Sequence, residues 1–125
     1  MLFKNHIDLL CKEHAIELGP PLALRHRDDP LKGRAIASPL SYSTLSYYCA
    51  LRDIGRFVVQ LDDGPLEREA AAWHWALDTA IATPDLDVRW MICAQLWRYI
   101  GKARERDWAL PRFESSYWDL MAWWD

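Results

Sequence analysis

Residues 86–100 read LDVRWMICAQLWRYI, and the spacing of their apolar side chains decides the fold. Leu86, Trp90, Cys93, Trp97 and Ile100 follow one another at alternating four- and three-residue steps. At about 3.6 residues per turn, such steps line one face of an α-helix. Leu66, Ala70, Trp73, Leu77 and Ala80 repeat the pattern one segment earlier. Five segments of the chain carry apolar patterns, most of them helical in period. The sequence therefore predicts an all-α single domain over residues 1–125, a compact bundle of four to five helices with one long irregular loop after the first.

The same stretch holds a second apolar stripe, Val88, Ile92, Leu96, Tyr99 and Ala103, on roughly the opposite side from Trp90 and Trp97. A helix apolar on two faces needs neighbours on both. The fourth helix, from Pro84 or Asp85 to about Arg106, is thus expected at the centre of the bundle, with Trp90 and Trp97 in the core. Working back, a third helix spans 65–82 and ends at Thr83–Pro84. The second begins after Pro39, with Ser41 or Ser43 as its N-cap, and faces inward through Tyr47, Leu51, Ile54, Val58 and Leu61. Gly55 falls in its middle, where glycine costs about 1 kcal/mol relative to alanine, so a closely packed neighbour is expected there. The run Phe57–Val59 alternatively favours a short strand, and Asp62–Pro65 form a turn.

The first helix is expected over residues 3–18, with Phe3, Ile7, Leu10 and His14 inward and the Gly19–Pro20–Pro21 sequence as its stop. Residues 19–40 then read as a long connection that interleaves prolines with charge, with a short strand or helical turn open at 22–24 or 34–37. A final helix follows Pro111 and carries Phe113, Tyr117, Leu120 and Trp124.

A chain of 125 residues with a net charge of −3 is large enough for one core and too mildly charged to imply nucleic-acid binding or DNA mimicry from bulk electrostatics. Its eight tryptophans must dominate either a core or an interface. Cys11, Cys49 and Cys93 are odd in number and lie in apolar helical stretches, which fits reduced thiols in a cytoplasmic protein. Lys4, His6 and Asp8 interrupt any signal-peptide apolar region, and no uncharged run is long enough for a transmembrane span.

His6, Cys11 and His14 share a helix but lack the spacing of a zinc site, so no metal is expected. His74, between Trp73 and Trp75, has the side-chain type of a general base, yet no nucleophile motif accompanies it. The pairs Asp28–Asp29, Asp62–Asp63, Asp85–Asp87 and Glu67–Glu69 suit turns and helix starts, where negative charge is stabilising. Of these, Asp28–Asp29 is the pair least explained by structure, because it stands inside the long loop. No glycine-rich phosphate loop and no nucleophile elbow occur, and no cofactor is expected. Arg98, Lys102, Arg104 and Arg106 cluster at the end of the fourth helix, as phosphate-binding cations do, while Arg25, Arg27, Lys32 and Arg34 punctuate the loop.

The C-terminal segment departs most from ordinary core, since Trp118 and Trp123 lie off the inward stripe. Tryptophan beside Tyr117, Arg112 and Asp119 matches the composition of binding hot spots. No motif is specific enough to name a family. In size and style the chain is similar to the small accessory proteins of phages and mobile elements, including inhibitors of host machinery such as anti-CRISPR proteins.

The leading expectation is a non-enzymatic protein that binds a protein or ribonucleoprotein partner, with Trp118, Trp123 and Tyr117 as apolar anchors and Arg25, Arg27, Asp28 and Asp29 as polar contacts. Two alternatives stand beside it. One is an all-α enzyme or ligand-binding protein with a cavity lined by Trp73, Trp90, Trp97 and Tyr99 and served by His74 or His14. The other is nucleic-acid binding through Arg98, Lys102, Arg104 and Arg106. A homodimer fits any of the three, and no membrane partner is expected.

Overall fold

The computed structural model describes residues 2–19, 34–39, 41–59, 64–106 and 120, the side chains of 103–106 excepted. The chain is all-α in class. Four helices are described: α1 (Leu2–Glu13), α2 (Thr44–Val58), α3 (Pro65–Thr79) and α4 (Leu86–Arg106). Two three-residue strands, β1 (Glu17–Gly19) and β2 (Ala35–Ala37), pair in parallel with Leu18 opposite Ile36.

The first helix ends at Glu13, six residues before Gly19. Ala15 takes a left-handed conformation at φ 53°. The Ile16 N–H then reaches back to the Cys11 carbonyl at 2.8 Å, and the Ala15 N–H to Lys12 at 3.4 Å. This is the Schellman pattern that satisfies the last carbonyls of a helix, built here on alanine where glycine is usual. Ile16 joins Leu10 and Cys11 in the core, and the freed residues 17–19 pair as β1. The expected helix over 3–18 is corrected accordingly. A strand at residues 35–37 is one of the two positions that sequence left open.

The second helix starts where Ser43 Oγ accepts the Ser46 N–H at 3.2 Å, and it stays helical through Phe57 and Val58. It is the hub of the described structure, touching α1, α3, α4 and β2. That place had been expected of α4. Tyr47, Tyr48, Leu51 and Ile54 are fully buried on it, and Phe3 of α1 stacks on Tyr47 at 4.3 Å. Gly55 packs directly on the α3 backbone at Ala72, which is the close approach its position demanded.

The third helix stops at Thr79 rather than 82 because α2 captures the following backbone. Tyr47 Oη accepts the Ile81 N–H at 3.0 Å and shares a 2.6 Å hydrogen bond with His6 Nδ1, while the Tyr48 hydroxyl donates to the Ala82 carbonyl. Three residues later Asp85 caps α4, its carboxylate accepting the Val88 N–H at 2.9 Å.

The fourth helix buries Val88, Ile92 and Leu96 of the second stripe together with Cys93 and Ile100 of the first. Trp90, Trp97 and Leu86 point outward, so their expected place in the core is corrected. At about 100° per residue, Asp87 and Arg98 stand roughly 60–100° round the helix from the two tryptophans, on one flank, so turning the tryptophans inward would carry the charges toward the core. The final helix expected after Pro111 lies outside the described residues, apart from Leu120. That residue is helical and buried, and its carbonyl accepts a 3.5 Å hydrogen bond from Cys93 Sγ.

Candidate functional site

The fold divides α4 into two working surfaces. On its outer side Leu86 is 82% exposed, Trp90 64% and Trp97 46%. Three large apolar side chains along one helix face form the type of patch that marks an interaction site. Gly101 continues the row, one turn beyond Trp97, and a Cβ placed on it would meet nothing within 4 Å. Ala94 sits between the tryptophans, and Asp87 and Arg98 flank them.

On the opposite side of α4, Tyr99 joins two clefts. Arg56, Pro65, Arg68, Glu69 and Tyr99 line one of about 250 Å³. Gln95, Arg98, Tyr99 and Lys102 line a smaller one of about 70 Å³. Lys102 Nζ lies 5.8 Å from the centre of the Tyr99 ring, within cation–π range.

The wall of the larger cleft is built from a buried ion-pair network between α2 and α3. Glu69 is 3% exposed, and Arg56 grips it in a fork, Nε to Oε2 at 3.0 Å and Nη2 to Oε1 at 2.9 Å. Arg52 Nε approaches the same carboxylate at 3.8 Å and stacks its guanidinium 5.3 Å from the Trp73 ring. Asp53 completes the network, 3.1 Å from Arg52 and 3.6 Å from Arg56. With both of its oxygens engaged, the Glu69 carboxylate serves to orient Arg56 at the cleft rim. Sequence reasoning placed Glu69 among helix-start acids and missed its partners. Arg52 and Arg56 are one turn apart on α2, a spacing that could have indicated a shared acid.

The other expected site residues divide clearly. Trp118, Trp123, Tyr117, Arg25, Arg27, Asp28 and Asp29 lie outside the described residues, as do the side chains of Arg104 and Arg106. Arg98 and Lys102 come together at Tyr99. Trp73, Trp90, Trp97 and Tyr99 do not enclose a common cavity, because Trp73 is fully buried while Trp90 and Trp97 face out. His14 lies edge-on to Trp75 at 6.0 Å and His74 is half-buried on α3. His6 is committed to Tyr47. Among the described residues no three His, Cys, Asp or Glu side chains are grouped to hold a metal ion.

The three thiols are unpaired. Burial raises all of them, and Cys11 is pushed up to about 11 by burial and then by the nearby Asp8 carboxylate. Such thiols are poor nucleophiles at neutral pH. No described helix is long and apolar enough to cross a membrane. Comparison with family models, with curated proteins and with solved structures finds no match.

Proposed function

We propose that this chain is a non-enzymatic binding protein that recognises a protein partner through the outer face of α4. The observation that carries the reading is the exposure of Leu86, Trp90 and Trp97 along one face of a helix that packs into the core through Val88, Ile92, Leu96 and Ile100. Tryptophans displayed on a rigid helix bring large contact area at little cost in conformational freedom, which is why they dominate binding hot spots. Free, buried thiols of raised pKa suit a reducing compartment, so the cytoplasm is the setting assigned. Small size and the lack of a catalytic motif extend the reading to an inhibitor of host machinery.

A photo-reactive phenylalanine analogue in place of Trp97 tests this in cell extract. A discrete protein adduct at that position, missing when the analogue replaces Ile81 instead, is the expected result. Irradiation that yields no protein adduct at Trp97 removes the reading.

A second reading is favoured by the Tyr99 clefts. Arg98 and Lys102 beside an aromatic ring provide the cation and stacking groups that a nucleic-acid strand requires. Its signature is an affinity for single-stranded DNA or RNA that falls steeply with salt and is lost in Arg98→Ala/Lys102→Ala. Failure to bind either strand at low salt rules it out.

A further inference from the structure

We infer that the outer face of α4 pairs with the same face of a second copy of this chain, antiparallel about a two-fold axis passing between Cys93 and Ala94. This rests on the recognition reading above and names its partner. The face is self-complementary in one register. Leu86, Trp90, Trp97 and Gly101 fall within a sector roughly 60° wide on an ideal helix. Reversing the row about its midpoint sets Trp90 against the partner's Trp97 and Leu86 against the partner's Gly101.

Each pairing answers a feature that the single chain leaves unexplained. Leu86 is the most exposed of the large apolar side chains among the described residues. Gly101 weakens an exposed stretch of helix, yet nothing in the described fold needs the space it leaves. A leucine from a facing helix fills that space. Aromatic pairs favour the offset contacts that two tryptophans meeting side by side can adopt. At the crossing point, where two helices approach most closely, stands the small side chain of Ala94.

Charge agrees with the same register. Asp87 and Arg98 lie on one flank of the row, and a two-fold axis brings like flanks together. Asp87 therefore meets the partner's Arg98, and the pair occurs twice. A parallel two-fold would instead carry this flank to the opposite side of the partner and keep Asp87 away from the partner's Arg98. An isologous contact of this type closes on itself and gives a dimer, not a filament.

The test combines molar mass with register. Sedimentation equilibrium of the wild-type chain should give a dimer, and Trp97→Gln a monomer of unchanged helical content. Asp87→Arg should weaken association about tenfold, and adding Arg98→Asp should restore it. In a Cys93→Ala background, Ala94→Cys should form an intermolecular disulfide on mild oxidation, while Arg89→Cys should not. A wild-type chain that stays monomeric at high micromolar concentration overturns the proposal. So does a dimer that ignores the charge swap and fails to cross-link through Ala94→Cys. If the chain is monomeric yet position 97 still captures a different protein, recognition by this face stands and the second copy falls. If neither occurs, both fall.

Discussion

A Cβ added to Gly55 of α2 would lie 2.9 Å from the carbonyl oxygen of Ala72 on α3, closer than real Cβ atoms come to backbone. The same atom would also meet the Trp75 ring at 3.1 Å. The two helices are thus held at a separation that only glycine permits. Backbone cannot yield as a flexible side chain can, so the substitution must move a whole helix. Gly55→Ala should destabilise the protein by about 1–3 kcal/mol, although alanine is the better helix former. Chemical denaturation measures this. An unchanged or raised midpoint would show that α2 and α3 do not pack at Gly55.

Ala15 presents the opposite case. It holds the left-handed position that ends α1, where a Cβ is unfavourable and glycine is at ease. Ala15→Gly should stabilise the fold by about 0.5–1 kcal/mol after the greater freedom of glycine in the unfolded chain is offset. Thermal unfolding of this variant should show a higher midpoint. A lower one would mean that α1 continues past Glu13 in a right-handed turn.

The Arg56–Glu69 fork gives an asymmetric prediction. Glu69→Ala removes the acid that faces both Arg52 and Arg56 across the α2–α3 contact, and should cost about 3 kcal/mol. Arg56→Ala should cost less, because Arg52 still faces the carboxylate and Arg56 is itself partly exposed. A double-mutant cycle should return a coupling above about 1 kcal/mol. Additive losses would mean that the two side chains do not interact.

Alkaline pH should loosen the fold before it alters the helices' own charges. The thiols of Cys11, Cys49 and Cys93 and the hydroxyls of Tyr42, Tyr47 and Tyr48 are all raised, burial being the leading cause for each. An acid raised in the folded state is neutral there while the unfolded chain already ionises. Its contribution is therefore complete below the unfolded value near 9 for Cys11 and is lost as pH climbs to about 11. Unfolding free energy should hold from pH 7 to 8.5 and then fall, each such group adding up to about 1.4 kcal/mol per pH unit. Cys11→Ala should flatten part of that decline. A flat profile to pH 11 would show that these groups are solvated.

Helix existence was legible from sequence because apolar period is set by local geometry. Ser43 and Gly55 announced a cap and a close contact for the same reason. The sidedness of α4 was not legible by period alone, since both of its faces score as apolar. The pointer to it was Asp87 and Arg98, whose charges stand on one flank of Trp90 and Trp97. The early end of α1 was hidden because alanine, not glycine, occupies its left-handed turn. The Tyr99 clefts and the Glu69 network join residues from separate helices, and no spacing within one helix encodes them.

Packing α4 on Val88, Ile92, Leu96 and Ile100 leaves Trp90 and Trp97 exposed on its outer side, and the Trp90→Gln/Trp97→Gln variant tests the role of that side most directly. Its equilibrium unfolding should be measured at a concentration where the wild-type chain is largely monomeric, and its sedimentation at one where the wild-type chain is dimeric. The expected result is an unfolding free energy within about 1 kcal/mol of wild type, as for surface substitutions generally, with self-association abolished. A variant that unfolds, or one that folds and associates as before, would contradict the assignment of this face to recognition.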